Sequence, residues 1–134
     1  MIVLASRTGC RLQLTPAQSP HKGIRNWIAR INGEGIDAEV MCDEADWMPE
    51  YLSSFFGRLA ADSSWRDEQT WRSAEGELSL SASHPKANTI LVQATMNFRA
   101  PPVWTAEAEV EIDPGAFAQA ADDLRREAER FPFR

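Results

Sequence analysis

The sequence is short of the residues from which small catalytic and metal sites are usually built. Its 134 residues include two histidines, His21 and His84, and two cysteines, Cys10 and Cys42. His21 falls in a proline loop and His84 at the start of a turn, so both read as solvated side chains rather than general bases. There is no CxxC pair, no His pair at metal-ligand spacing, no G-x-S-x-G and no glycine-rich phosphate loop. No catalytic residue, metal site or cofactor site is therefore expected. The cysteines lie on the apolar sides of predicted strands and read as buried thiols. A Cys10–Cys42 bridge would need those strands to be neighbours, and a reducing compartment opposes it. No apolar run approaches the roughly 20 residues that span a bilayer. Met1 to Ala5 is too short for a secretory signal and is followed at once by Arg7. A single cytoplasmic domain over 1–134, with no membrane contact, is the expectation.

Basic charge is also scarce. The chain carries 14 Lys and Arg against 20 Asp and Glu, a net charge of −6. Nearly all the basic excess is near the start, where Arg7, Arg11, Lys22, Arg25 and Arg30 face only Glu34 across residues 1–36. The rest is strongly acidic. A nucleic-acid partner is not expected, because no broad basic face can form. An acidic surface speeds encounter with a basic partner, although it also serves solubility alone.

What is present is regular. No internal repeat or low-complexity tract stands out. Leu78, Leu80 and Ala82 alternate with Ser79, Ser81 and Ser83. Ile90, Val92, Ala94, Met96 and Phe98 alternate with Gln93, Thr95 and Asn97. Trp104, Ala106, Ala108, Val110 and Ile112 alternate with Thr105, Glu107, Glu109 and Glu111. A period of two with one polar side predicts antiparallel strands covered on one face. Towards the N-terminus, Cys10, Leu12 and Leu14, then Trp27, Ala29 and Ile31, then Ile36, Ala38, Val40 and Cys42 predict three more strands. Ile24 is out of phase there, which suggests a bulge or a later strand start.

Two stretches have helical spacing. Trp47, Tyr51, Leu52, Phe55, Phe56 and Leu59 make a stripe over Asp46–Ala61, with Asp46 as the expected N-cap. Asp113-Pro114 opens a second helix, striped by Phe117, Ala120, Ala121, Leu124, Ala128 and Phe131. The expected fold is α+β: a single two-layer sandwich in the order βββ-α-βββ-α. One antiparallel sheet of about six strands would carry both helices on one face.

Between the first helix and the strand at Glu77 lies "SSWRDEQTWRSAEGELSL". Trp65 and Trp71 read as aromatics that fix the corner, and Trp71 is expected to be largely buried. Trp65, Arg66 and Arg72 are also candidates for contact with a partner. Asp43 and Glu44, which the helix dipole explains less well than Asp46, are further candidates. So is the Glu107/Glu109/Glu111 row, which is otherwise a solvated face.

The core Trp71-x-Ser73-x-Glu75-Gly76-x-Leu78-x-Leu80-x-Ala82 follows the Phe55-Phe56 helix and Trp65. It precedes the Trp104 strand and the Gly115 helix. Over about residues 9–131 this pattern resembles the WapI-like immunity proteins of bacterial polymorphic toxin systems, and a similar small bacterial family of unknown function. Asp67-Glu68-Gln69 stands where the pattern has glycine, and "HPKAN" where it has an acidic turn. The resemblance implies a non-enzymatic immunity protein that binds a cognate toxin domain and occludes it; the acidic balance favours a basic toxin. The alternative is a small-ligand-binding or regulatory domain with a cleft between sheet and helices.

Overall fold

The computed structural model describes residues 1–133. Four strands come first: β1 (Ile2–Ala5), β2 (Arg11–Ala17), β3 (Ile24–Gly33) and β4 (Ile36–Ala45). Helix α1 (Leu52–Ala61) follows. The order then repeats with β5 (Gln69–Arg72), β6 (Leu78–Lys86), β7 (Thr89–Phe98), β8 (Trp104–Ile112) and α2 (Pro114–Arg130). The strands form two four-stranded antiparallel meanders, β1-β2-β3-β4 and β5-β6-β7-β8. The α+β class and the two helices agree with the sequence. The single six-stranded sheet does not: β1 and β5, four residues each, are too short to show a period.

The chain is thus ββββα twice, a repeat that the sequence conceals. It survives in two turns. Ser6-Arg7-Thr8-Gly9 follows β1 and Ser73-Ala74-Glu75-Gly76 follows β5, and each leads into a Leu-x-Leu strand start. In both, the serine carbonyl accepts from the glycine N–H, at 3.1 and 3.0 Å. Both glycines have φ near +80 to +95°, Gly9 at 95° and Gly76 at 77°, where a side chain would be strained. Each turn then reaches the last strand of the opposite half. Arg7 N–H donates to the Glu111 carbonyl (3.4 Å), and Ala74 N–H to the Asp43 carbonyl (2.8 Å). Glu111 N–H also donates to Ser6 Oγ (3.1 Å).

One core unites both sheets and both helices. It takes Leu12, Leu14, Trp27, Ala29 and Ile31 from the first sheet and Leu78, Leu80, Val92, Ala94 and Met96 from the second. The helices meet through Phe56 and Phe117, stacked at 4.9 Å and 6°. The predicted alternation is therefore the real one. Trp71 is buried, at 5% exposure.

Three local expectations change. Helix α1 starts at Leu52, not Asp46; Tyr51 is its N-cap and Trp47 stands in the preceding loop, 73% exposed. There is no bulge at Ile24: β3 and β4 pair without interruption from Ile24↔Ala45 to Gly33↔Ile36. The phase break arises because Arg25 occupies the inward row beside Trp27, opposite Glu44. Cys10 and Cys42 are free thiols, kept apart because β3 lies between β2 and β4. Burial pushes the Cys42 thiol well up, and Glu77, Glu44 and Asp43 add to it. No helix among the described residues is long and apolar enough to cross a membrane.

Candidate functional site

The eight residues singled out from sequence separate into three groups. Glu44 is fully buried and is an interior fastener. Its carboxylate accepts from Arg25 Nε (2.9 Å), Trp27 Nε1 (2.5 Å) and the Leu52 backbone N–H (2.6 Å). The last of these satisfies a free donor at the start of α1, the job expected of Asp46. Arg25 also donates to the Ala128 carbonyl of α2 (3.1 Å) and lies 4.4 Å from the Phe133 ring centre. Glu44 is thus out of a partner's reach while the fold stands, because its oxygens are spent on holding β3, β4 and both helices together.

Asp43 is half-buried. Burial, then the Glu77 and Glu75 carboxylates, hold its carboxyl above the usual range, while His21 pulls it down. Trp65 is half-buried at the corner, where its indole N–H donates to the Leu59 carbonyl (3.1 Å) at the end of α1. Its ring sits on His84, with centroids 5.1 Å apart. His84 is not the solvated turn residue that its position suggests. It is 9% exposed, and its Nδ1 is buried without a partner. Arg66 is exposed and donates to the Ser63 and Trp65 carbonyls.

The remaining residues share the outer face of the second sheet. Strand register sets them in rows. One runs Arg72–Ser79–Thr95–Glu107 and the next Thr70–Ser81–Gln93–Glu109. Glu111 stands in the row beyond, opposite Leu91. The face is therefore graded: Arg72 on β5, hydroxyls and an amide in the middle, and carboxylates on β8. Arg72 is exposed, makes no ion pair among the described residues, and lies so close over Gly76 that a Cβ there would collide with its guanidinium. Glu107 and Glu109 are exposed, and among the described residues the Glu row has no basic partner within ion-pair distance.

The loop 46–51 rises along the β5 side of this face. It is firmly tied. Asp46 N–H donates to the Gly23 carbonyl (2.9 Å), Tyr51 Oη to the Asp46 carbonyl (2.6 Å), and Trp71 Nε1 to the Glu50 carbonyl (3.0 Å). Loop and sheet enclose an open groove of about 820 Å³. Trp47, Met48 and Glu68 stand on its walls, and Thr70, Arg72, Ser79, Ser81, Gln93 and Thr95 on its floor. Nothing in the residue pattern signals the groove. The helical spacing of Trp47 to Tyr51 points to a helix stripe, whereas Trp47 stands in the loop before α1. The described residues contain no group of three or more His, Cys, Asp or Glu placed to hold a metal ion.

A small α+β domain of two meanders, with one open polar face beside a pinned loop, is the class defined by this geometry. The chain belongs to a family of unknown function, DUF6228, whose model matches residues 3–130. No curated protein and no solved structure matches it. Of the resemblance drawn from the Trp71–Ala82 core, the part pointing to a family of unknown function agrees with this match.

Proposed function

We propose that the chain is a non-enzymatic immunity protein that binds a cognate toxin domain across the outer face of its second sheet. The observation that carries this reading is the Glu107/Glu109/Glu111 row, which lines the far edge of an uncovered face and makes no ion pair among the described residues. Carboxylates left unpaired on a sheet face repel one another, and a basic partner removes that repulsion. The resemblance of the Trp71–Ala82 core to WapI-like immunity proteins supplies the kind of partner. Occlusion needs an interface of about 1,600 Å² in total. Anchors would be Arg72 and Trp47, since exposed Trp and Arg dominate interface energies. Trp65 and Arg66 belong to the adjoining corner and would sit at the rim.

The test is co-expression with the product of whichever large reading frame adjoins the gene. Growth should be restored by the parent chain and not by a Glu107→Lys/Glu109→Lys/Glu111→Lys variant. A harmless neighbouring product, or toxicity that persists with this chain bound, would overturn the reading.

The groove favours one alternative. Its volume lies within the roughly 300–1,000 Å³ of ordinary ligand clefts, so a small-ligand-binding domain is the second reading. A thermal-shift screen against metabolites checks it, and a flat response across the screen would count against it.

A further inference from the structure

We infer that the groove between loop 46–51 and the second sheet is a saccharide-binding site, taking a neutral oligosaccharide of roughly two or three rings. This goes beyond partner binding through the glutamate row, because it turns on the neutral floor of the groove and takes another class of ligand, with Trp47 and Arg72 shared between the two.

The floor is a set of neutral hydrogen-bonding side chains that face solvent rather than one another. Thr70, Ser79, Ser81, Gln93 and Thr95 make no side-chain hydrogen bond to protein among the described residues. One row further along the same face, Thr105 and Asn97 do satisfy each other, at 3.1 Å. The corresponding face of the first sheet pairs its charges instead, Arg30 with Asp37 at 2.9 Å. Gln13 and Thr15 on that face are likewise without a side-chain partner among the described residues, so what is particular to the groove is that such groups lie beneath an exposed aromatic wall. Hydroxyl and amide groups both donate and accept, as sugar hydroxyls do.

The wall supplies the other half of sugar recognition. Trp47 is 73% exposed on a loop whose backbone is tied at both ends. A large indole held out in water, on a segment fixed in place, forgoes burial it could gain elsewhere. Its flat apolar face suits the CH face of a pyranose ring. The second half of the molecule has no equivalent: β8 ends at Ile112 and α2 begins at Pro114, whereas six residues separate β4 from α1. The insertion that breaks the internal repeat is thus the one that builds this wall.

Charge decides against other ligands. Glu50 is already paired with Arg58 at 2.8 Å, which leaves Arg72 against Glu68 on the lining, while Glu107 and Glu109 end the rows of the floor and oppose an anionic ligand. A phosphorylated or carboxylated ligand would gain one arginine and meet these glutamates. A peptide strand would seek a sheet edge for its backbone, and this floor is a sheet face.

The experiment is an NMR titration of the full isotope-labelled chain with maltotetraose, cellotetraose and chitotetraose. The expected result is saturable shifts for at least one of the three, at the Trp47 indole and the β6 and β7 amides. Trp47→Ala should weaken binding by about tenfold or more and Gln93→Ala by less, both with unchanged spectra elsewhere. Glu107→Gln/Glu109→Gln/Glu111→Gln should leave it intact, which separates this site from the toxin-binding row. Absence of saturable shifts with all three sugars at about 10 mM, where weak complexes near a 1 mM Kd are detected, would overturn the inference. So would shifts that persist unweakened in Trp47→Ala.

Discussion

Glu44 shows how much a single side chain can be asked to do. One carboxylate neutralises Arg25, takes the Trp27 indole proton and starts α1 through Leu52 N–H. Removing it leaves a buried guanidinium without its counter-charge, so Glu44→Ala should cost about 3–5 kcal/mol by denaturant unfolding. Adding Arg25→Met to that variant should recover part of the loss, because the stranded charge goes with it. If the double variant is less stable than Glu44→Ala, the charge is not what matters. Asp43, next to it, behaves oppositely. Its folded carboxyl titrates above the ordinary aspartate range. The stability linked to that group is therefore complete below the unfolded value and is lost as pH rises through the folded one. Asp43→Asn should melt higher than the parent at about pH 7, and the gap should close towards about pH 3. A gap that widens on acidification would contradict the assignment.

At the scale of elements, the two tryptophans of the corner hold α1 from both sides. Trp71 reaches back to the Glu50 carbonyl before the helix, and Trp65 bonds the Leu59 carbonyl near its end. Trp71→Ala should cost about 3–5 kcal/mol in chemical denaturation, as for a large buried aromatic; a loss under about 1 kcal/mol would place it outside the core. The long strands were legible because each pairs a buried face with a wet one, which writes a period of two into residues 78–112. So was the second helix, through Asp113, whose carboxylate accepts from Ala116 N–H at 2.8 Å, and Pro114. What could not be read was non-local. Four-residue β1 and β5 are strands because of their neighbours. Arg25 looks like a surface residue until Glu44 faces it. His84 is buried because Trp65, nineteen positions earlier, lies over it. Trp47 has a helical spacing and a loop conformation, since Glu44 rather than Asp46 supplies the helix start.

For the whole molecule, the seams decide the shape. Each Ser-x-x-Gly turn grips the final strand of the other half, through Arg7 to Glu111 and Ala74 to Asp43. Both sheets thereby share one core and leave their outer faces free. The first sheet's outer face carries Val3 and Met41 among paired charges, while the second grades from Arg72 to the glutamate row. Of the candidate binding residues, Glu107, Glu109 and Glu111 were legible in the sequence because alternation placed them outward, and Arg72 because it follows Trp71 in the corner. The face they share became visible only once register aligned four strands.

The most direct measurement of the central proposal is a calorimetric titration of the purified chain with any toxin domain that the co-expression test identifies. A one-to-one complex is expected, its affinity falling with added salt. Reversing charge at Glu107, Glu109 and Glu111 together should weaken it by about tenfold or more. An affinity unchanged by the triple reversal, or no complex at all, would contradict binding through this face.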